Sequence, residues 1–306
     1  MRSWPHLDLV IPVHPKDQPH LLRLLGSIEQ QTYPRERITV HVIREGSSEE
    51  AKAIGINRCT GDLIGMFCAD NVLVEPDTLE RLATAASVPY VVGAYTTRYA
   101  HVRSDRPLSR YFALLGANDP LCWWLGKADR LSYLPSAWGS RRRSHLSLGD
   151  NGFVIRRTLA QQVVHDPKTF GSCMDMCEEL RRLGHQLYRT VDEVSIWHRS
   201  GESLWVYLKK RWRYTNALYF DQLAQRRWRM VQGPRDWLGV VLFALASCLV
   251  LPHLWLSLRG YRSVQDPAWF LHPAVCGLLT CLYTLSLCRY ILRSVWLFPA
   301  SIGRRS

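Results

Sequence analysis

The chain opens on a short apolar run, Leu7-Asp8-Leu9-Val10-Ile11-Pro12-Val13, ended by proline and a polar turn, the pattern of a strand buried in a parallel sheet. Leu21, Leu22, Leu24, Leu25 and Ile28 then recur at helical spacing. That helix stops near Gln31, because the Tyr33-Pro34 step pushes the backbone out of the helical region. The alternation continues with a strand over 38–43, a helix over 48–57 capped by Ser47 or Ser48, and a strand over 63–69. A helix over 76–86, with proline in its first turn, and a strand over 90–97 follow. Strands alternating with helices in this way predict an α/β fold of Rossmann-like type: a mostly parallel central sheet with flanking helices.

The period is lost from 100 to 148, a stretch rich in Trp, Arg, Ser and Gly that includes Trp123-Trp124, Trp138 and Arg141-Arg142-Arg143. It reads as an irregular, substrate-facing insertion. Regular pattern returns with a strand over 152–156, a helix over 174–183 ended by Gly184, and strands over 186–191 and 194–198.

Beyond residue 202 the pattern changes. Trp205, Leu208, Trp212, Tyr219 and Leu223 alternate with Lys and Arg across 203–231, which predicts an amphipathic basic helix lying in a membrane interface. The segments 237–258 and 268–288 are each apolar for about the twenty residues that a bilayer core requires. They predict a transmembrane hairpin, the alternative being a pair of buried soluble helices. Lys209, Lys210, Arg211, Arg213, Arg226, Arg227, Arg229 and Arg235 precede the first segment, and Arg289, Arg293, Arg304 and Arg305 follow the second. Positive residues mark the cytoplasmic side, so both ends and the N-terminal domain are expected there. Three regions result: 1–202, 203–235 and 236–306.

Charge refines this picture. The 39 Lys+Arg against 26 Asp+Glu give +13, which suits a polyanionic partner. The clustering of cations before an apolar segment, with no zinc-finger or RNP-like motif, argues for membrane lipids and against nucleic acid. The nine cysteines are scattered, with Cys248, Cys276, Cys281 and Cys288 in or beside the apolar segments, and read as reduced thiols used as small apolar residues. Cys173 and Cys177 lack a matching pair and do not read as a zinc site. Met1 to His6 is too short for a signal peptide.

In an open α/β sheet ligands bind at the carboxyl ends of the strands, here Pro12-Val13-His14, Arg44-Glu45-Gly46-Ser47-Ser48 and Cys68-Ala69-Asp70-Asn71. No glycine-rich phosphate loop follows the first strand, which argues against a dinucleotide-binding oxidoreductase and a P-loop enzyme. An acid placed like Asp70 can hold a divalent cation that bridges two phosphates, although Asp-Asn after a strand is also ordinary turn chemistry.

Taken in order, these elements resemble family 2 glycosyltransferases of the GT-A fold from Leu7 to about Tyr214. The matches are Ile11-Pro12-Val13-His14 at the first strand, Arg44-Glu45-Gly46-Ser47 at the second, and Lys52, Gly55, Gly61 and Asp62 around the second helix. Cys68-Ala69-Asp70 stands at the Asp-x-Asp element, with Asn151-Gly152, Arg156-Arg157, Met174-Asp175 and Arg211-Trp212-Arg213 further on. Two positions depart: Arg44 stands where the family reads the base with an acid, and Cys68 replaces the first acid of Asp-x-Asp.

The resemblance implies an inverting transferase that moves a sugar from a nucleotide-sugar donor to a lipid-linked or envelope-polysaccharide acceptor. Its nucleotide-binding half would be 1–99 and its acceptor half 100–202. Asp175 would be the general base, though an acid there also suits a helix N-terminus. Pro12, His14, Glu45, Lys52 and Asp70 would bind the nucleotide-sugar, His14 by stacking. Asp70 and His198 would hold Mg²⁺ or Mn²⁺. Asn151, Gly152, Arg156, Arg157, Arg211, Trp212 and Arg213 would face the acceptor or a phosphate. The altered motifs leave a second reading: a catalytically weak, membrane-bound sugar-nucleotide-binding or scaffold subunit.

Overall fold

The computed structural model describes residues 4–135, 147–199 and 203–297, so Trp138, Arg141 to Arg143, Ser200, Gly201, Arg304 and Arg305 lie outside the described residues. The strands are β1 (Leu7–Pro12), β2 (Ile38–Ile43), β3 (Leu63–Phe67), β4 (Asn71–Leu73), β5 (Gly93–Thr96), β6 (Tyr99–Ala100), β7 (Asn151–Arg156), β8 (Tyr188–Val191) and β9 (Ile196–His198). The helices α1 (Gln18–Glu29), α2 (Ser48–Arg58), α3 (Thr78–Ala86), α4 (Pro107–Leu115), α5 (Pro120–Trp124), α6 (Arg157–Val163) and α7 (Cys173–Arg182) complete the N-terminal region.

Six strands form one sheet in the order β2-β1-β3-β7-β5-β8, and β4-β9-β6 form a second. β1 pairs in parallel with both β2 and β3, and β5 with β8, while β7 runs antiparallel between β3 and β5. This is the mixed α/β architecture expected. Leu7, Leu9 and Ile11 point into one apolar layer with Leu21, Leu24 and Ile28 of α1, and Val10 points into the opposite one with Ala53 and Ile56 of α2. The alternation of a strand thus feeds two cores. Ser47 caps α2 through a reciprocal capping box with Glu50, which fixes where the chain turns from the β2 end into the helix.

The insertion from residue 100 is not irregular where it is described. Leu108, Tyr111, Phe112 and Leu115 recur at helical spacing, form α4, and are buried together with Trp123 and Trp124 of α5. Their partners are Phe243, Trp269 and Leu279 from the C-terminal helices, so these tryptophans are core rather than substrate-facing. The indole of Trp124 donates to the Gly239 carbonyl at 2.9 Å, and the buried Lys127 ammonium reaches the Asp236 carboxylate at 2.7 Å.

The C-terminal region also differs from expectation. The basic helix α8 (Leu204–Tyr214) continues as a π-helical segment only to Asp221, and the chain then returns to the α/β domain, burying Trp228. The first apolar segment is bent by 90° between α9 (Pro234–Leu249) and α10 (Leu251–Ser263). Pro252 lacks the N–H that would continue the helical ladder, and Val250 takes φ +61 at the break. The second segment forms α11 (His272–Leu297), and the helical run Pro267–Ser294 is long and apolar enough to cross a membrane. Among the described residues the hairpin therefore reduces to one such helix and a bent pair.

Candidate active site

The carboxyl ends of β1, β2 and β3 share one edge of the main sheet, with Pro12 level with Ile43 and Met66 close by on β3. Pro12 and the exposed His14 stand on this edge, and Glu45 lies beyond β2, where it pairs with Arg58 at 3.1 Å. The antiparallel register of β7 sets what else reaches the edge. Asn151 lies opposite Phe67 at the end of β3, whereas Arg156 lies opposite Leu63 at its start.

Around Asp70 the second sheet adds a histidine. β4 and β9 pair Asn71 with His198, which brings His198 Nε2 to 3.5 Å from Asp70 Oδ2. Burial would raise the Asp70 carboxyl, but His198 and then Lys210 of α8 hold it below the usual range. The other ring nitrogen of His198, Nδ1, is buried without a hydrogen-bond partner among the described residues. A polar network stands behind: Asn71 donates to Asn151 at 3.2 Å, Asn151 to the Tyr99 hydroxyl at 3.2 Å, and that hydroxyl to Asp129 at 2.5 Å. Arg130 donates to the Asn151 carbonyl and covers the Tyr99 ring, 4.8 Å from its centroid. Gly152 takes φ +70, and a Cβ there would meet Ile196 Cγ1 at 2.5 Å, so only glycine lets β7 close on β9.

On the other side of Asp70 lies a buried ion cluster. Lys52 of α2 reaches Asp150 Oδ2 at 2.7 Å and Glu49 Oε1 at 2.8 Å. Burial pushes both carboxyls up. At Asp150 the Lys52 ammonium overrides this and holds the group well below the usual range, while Glu49 remains raised. The Cys68 thiol, between Asp150 and Asp70, is driven up by burial and then by those two carboxylates, so it stays protonated at neutral pH. Cys173, at the start of α7, is buried against the same cluster and likewise raised by burial.

Asp175 lies buried in the first turn of α7. Its Oδ1 accepts from the backbone N–H groups of Arg227 and Trp228 at 2.8 Å each, and its Oδ2 meets Ser172 Oγ and Arg226 Nε, also at 2.8 Å. Three hydrogen bonds and the Arg226 ion pair on this carboxylate tie the returning segment 226–228 to α7. Arg156 and Arg157 lie at the far end of the sheet: Arg156 donates to the Val88 carbonyl at 2.5 Å, and Arg157 to the Gly61 carbonyl. Arg211 turns inward to the Asn118 carbonyl at 2.6 Å and Asp119 at 3.4 Å. Among the described residues each of the three donates to a backbone carbonyl, and Arg211 and Arg157 also reach the side chains of Asp119 and Gln161. Trp212 is half-buried and Arg213 exposed on α8.

Asp70, His198, Lys52, Asn151 and Gly152 are thus gathered at one site, and the structure adds Asp150, Glu49 and Lys210. Asp150 directly precedes the Asn-Gly element, which was its only signal in sequence.

A family model described as "Glycosyltransferase like family 2" matches residues 2–217, which cover both sheets and all the site residues. The chain belongs to that family. It is a glycosyltransferase, with the GT-A-like fold, and it acts with a nucleotide-sugar donor. No curated protein matches its sequence. Among solved structures, the mannosyltransferase PcManGT from Pyrobaculum calidifontis, in complex with GDP-Man and Mn²⁺, is similar at 14% identity and TM-score 0.54, covering 93% of this chain and 88% of that one. S. aureus TarS 1-349 is similar at 10% identity and TM-score 0.44, covering 91% of this chain and 90% of that one. Within this family 2 transferase, Cys68, which replaces an acid of the motif, and Cys173, just before Met174-Asp175, both fall against the buried cluster of Lys52 and Asp150.

Proposed function

We propose that this glycosyltransferase inverts the sugar it transfers, working at the cytoplasmic membrane face on a lipid-linked or envelope-polysaccharide acceptor. The observation that carries the reading is Asp70 at the end of β3, with His198 at 3.5 Å and Lys210 close to the same carboxylate. A carboxylate, an imidazole and a nearby cation at the edge of the sheet suit a diphosphate.

The same residues fit a divalent ion. Asp70 offers an oxygen and His198 its Nε2, 3.5 Å from that oxygen, and protonated Cys68 offers no thiolate to compete. Asp70 and His198 would hold Mg²⁺ or Mn²⁺, which supplies positive charge against the departing nucleoside diphosphate. PcManGT, of similar fold, is complexed with GDP-Man and Mn²⁺, which supports a divalent cofactor. Lys210 faces the same charge from α8. Pro12, His14 and Glu45 border the nucleotide, and Asn151, fixed by Arg130 and Tyr99, borders the sugar.

In this scheme Asp150 accepts a hydrogen bond from the acceptor hydroxyl, and Asp175 remains the candidate general base that the motif implies. Asp150 lies against Cys68, two residues from Asp70, and is half-buried, so an acceptor oxygen entering beside Asp70 meets its carboxylate. Lys52 keeps that carboxylate ionised.

Membrane attachment rests on the apolar run Pro267–Ser294, of whose most apolar stretch only 28% is buried, and on exposed Trp237, Leu245, Leu249, Leu251, Trp255 and Leu285 around it. Trp205, 75% exposed on α8, extends this surface next to Lys209 and Arg213. We assign 1–202 to the catalytic domain, 203–235 to the interface and 236–306 to the anchor. The bent pair α9 and α10 serves either as a broken span or as a re-entrant element.

The protonated thiol at Cys68 favours one second reading, a sugar-nucleotide-binding subunit of low turnover. Membranes carrying the full chain, incubated with Mn²⁺ and a panel of UDP- and GDP-sugars, separate the two. Release of nucleoside diphosphate that depends on acceptor lipid supports the transferase; binding without release across the panel supports the subunit.

A further inference from the structure

Two histidines and a cysteine far apart in sequence meet where the bent pair touches the long helix. His253 of α10, His272 at the start of α11 and Cys276 one turn later are all fully buried. The inner ring nitrogens, His253 Nδ1 and His272 Nε2, are 3.2 Å apart, and Cys276 Sγ lies 3.7 Å from both ring nitrogens of His272. On a tetrahedral zinc ion with bonds of about 2.0 Å to nitrogen and about 2.3 Å to sulfur, such atoms are separated by about 3.3 Å and about 3.6 Å. The two separations stand close to two edges of that tetrahedron, and all three donors lie within 4.8 Å of one another.

The outer nitrogens are directed as a ligating histidine requires. His272 Nδ1 lies 2.7 Å from the Tyr111 hydroxyl, and His253 Nε2 lies 3.1 Å from Ser247 Oγ, which itself donates to the Phe243 carbonyl at 2.9 Å. Each imidazole can give its outer N–H to a hydroxyl and turn its inner lone pair to the metal. The Tyr111 hydroxyl also reaches the Cys276 sulfur. Trp123, Trp124 and Phe243 pack their rings against the histidines and make the shell apolar.

We propose that His253, His272 and Cys276 form a structural zinc site that pins α10 to α11. The set of two imidazoles and one thiolate suits zinc and lacks the oxygen ligands that Mg²⁺ and Mn²⁺ prefer, so the site is separate from the Asp70 centre. Three protein ligands leave a fourth position for water. Without an ion Ser247, His253, His272 and Tyr111 make a plain hydrogen-bond chain, and the experiment must tell the two apart.

The full chain, purified in detergent and loaded with Zn²⁺, is desalted and its metal content measured. The site gives about one zinc per chain, retained in Asp70→Asn and lost in Cys276→Ser. Loading with Co²⁺ gives a thiolate-to-cobalt charge-transfer band that Cys276→Ser abolishes, and Tyr111→Phe weakens zinc affinity by about 10- to 100-fold. Wild-type protein that holds no zinc and gives no cobalt band, or a band that survives Cys276→Ser, overturns the proposal. Neither readout uses a sugar donor, so both are independent of the transferase mechanism.

Discussion

Replacing Asp175 by Asn tests whether this residue holds the fold or performs the chemistry. Its Oδ1 carries two backbone N–H donors and its Oδ2 carries Ser172 and the buried Arg226. An amide keeps one acceptor oxygen and turns an NH₂ toward the other pair of donors. The variant therefore loses an ion pair and sets donor against donor. Breaking a buried pair costs about 3–5 kcal/mol; the one face that the amide still satisfies reduces this to roughly 2–4 kcal/mol. Spread over a chain of this size, that lowers the melting temperature by roughly 3–6 °C. Thermal unfolding of the detergent-solubilised chain, run beside nucleoside diphosphate release below the melting point, reads both quantities. A variant that melts with the wild type would refute this placement, and turnover slowed by about a hundredfold or more below the melting point assigns the base to Asp175.

Asp150→Asn removes the nearer carboxylate from buried Lys52, which retains Glu49, so it costs about 2–4 kcal/mol by urea denaturation and slows acceptor-dependent turnover about tenfold in a steady-state assay. Lys52→Met strands Asp150 and costs about 3–5 kcal/mol at neutral pH by urea denaturation. The folded pKa of Asp150 lies below its unfolded value, so the pair stabilises the protein above about pH 4, and the gap between wild type and Lys52→Met narrows as pH falls below that. Gly260→Ala places a methyl 2.4 Å from the Trp269 ring, which is itself fully buried, and loses about 1–3 kcal/mol in thermal unfolding.

The strands and helices of the first hundred residues were legible because each one's apolar pattern agrees with its neighbours. Leu63–Phe67, for example, is apolar throughout and is buried throughout. The edge carrying Asp70 followed from strand order alone. The register was not legible. An antiparallel β7 sends Asn151 to the site and Arg156 to the opposite end, and no spacing rule distinguishes this from a parallel strand. The α4 stripe of Leu108, Tyr111, Phe112 and Leu115 was readable but was masked by the Trp and Arg around it. At Asp175 an acid near a helix start serves a cap or a base equally well in sequence, and its contacts with Arg226 to Trp228 were not legible there. The break at Val250 could have been suspected from Pro252, inside a run otherwise long enough to span.

The most direct test of the central claim is metal- and donor-dependent turnover at Asp70. Wild-type chain and Asp70→Asn, matched by thermal unfolding, are assayed for nucleoside diphosphate release from a panel of nucleotide-sugars with an acceptor lipid and Mn²⁺. A metal-assisted transferase centred on Asp70 requires that at least one donor be turned over by the wild type, that chelation stop it, and that Asp70→Asn lower it by about a hundredfold or more. Turnover that survives both chelation and Asp70→Asn would contradict it.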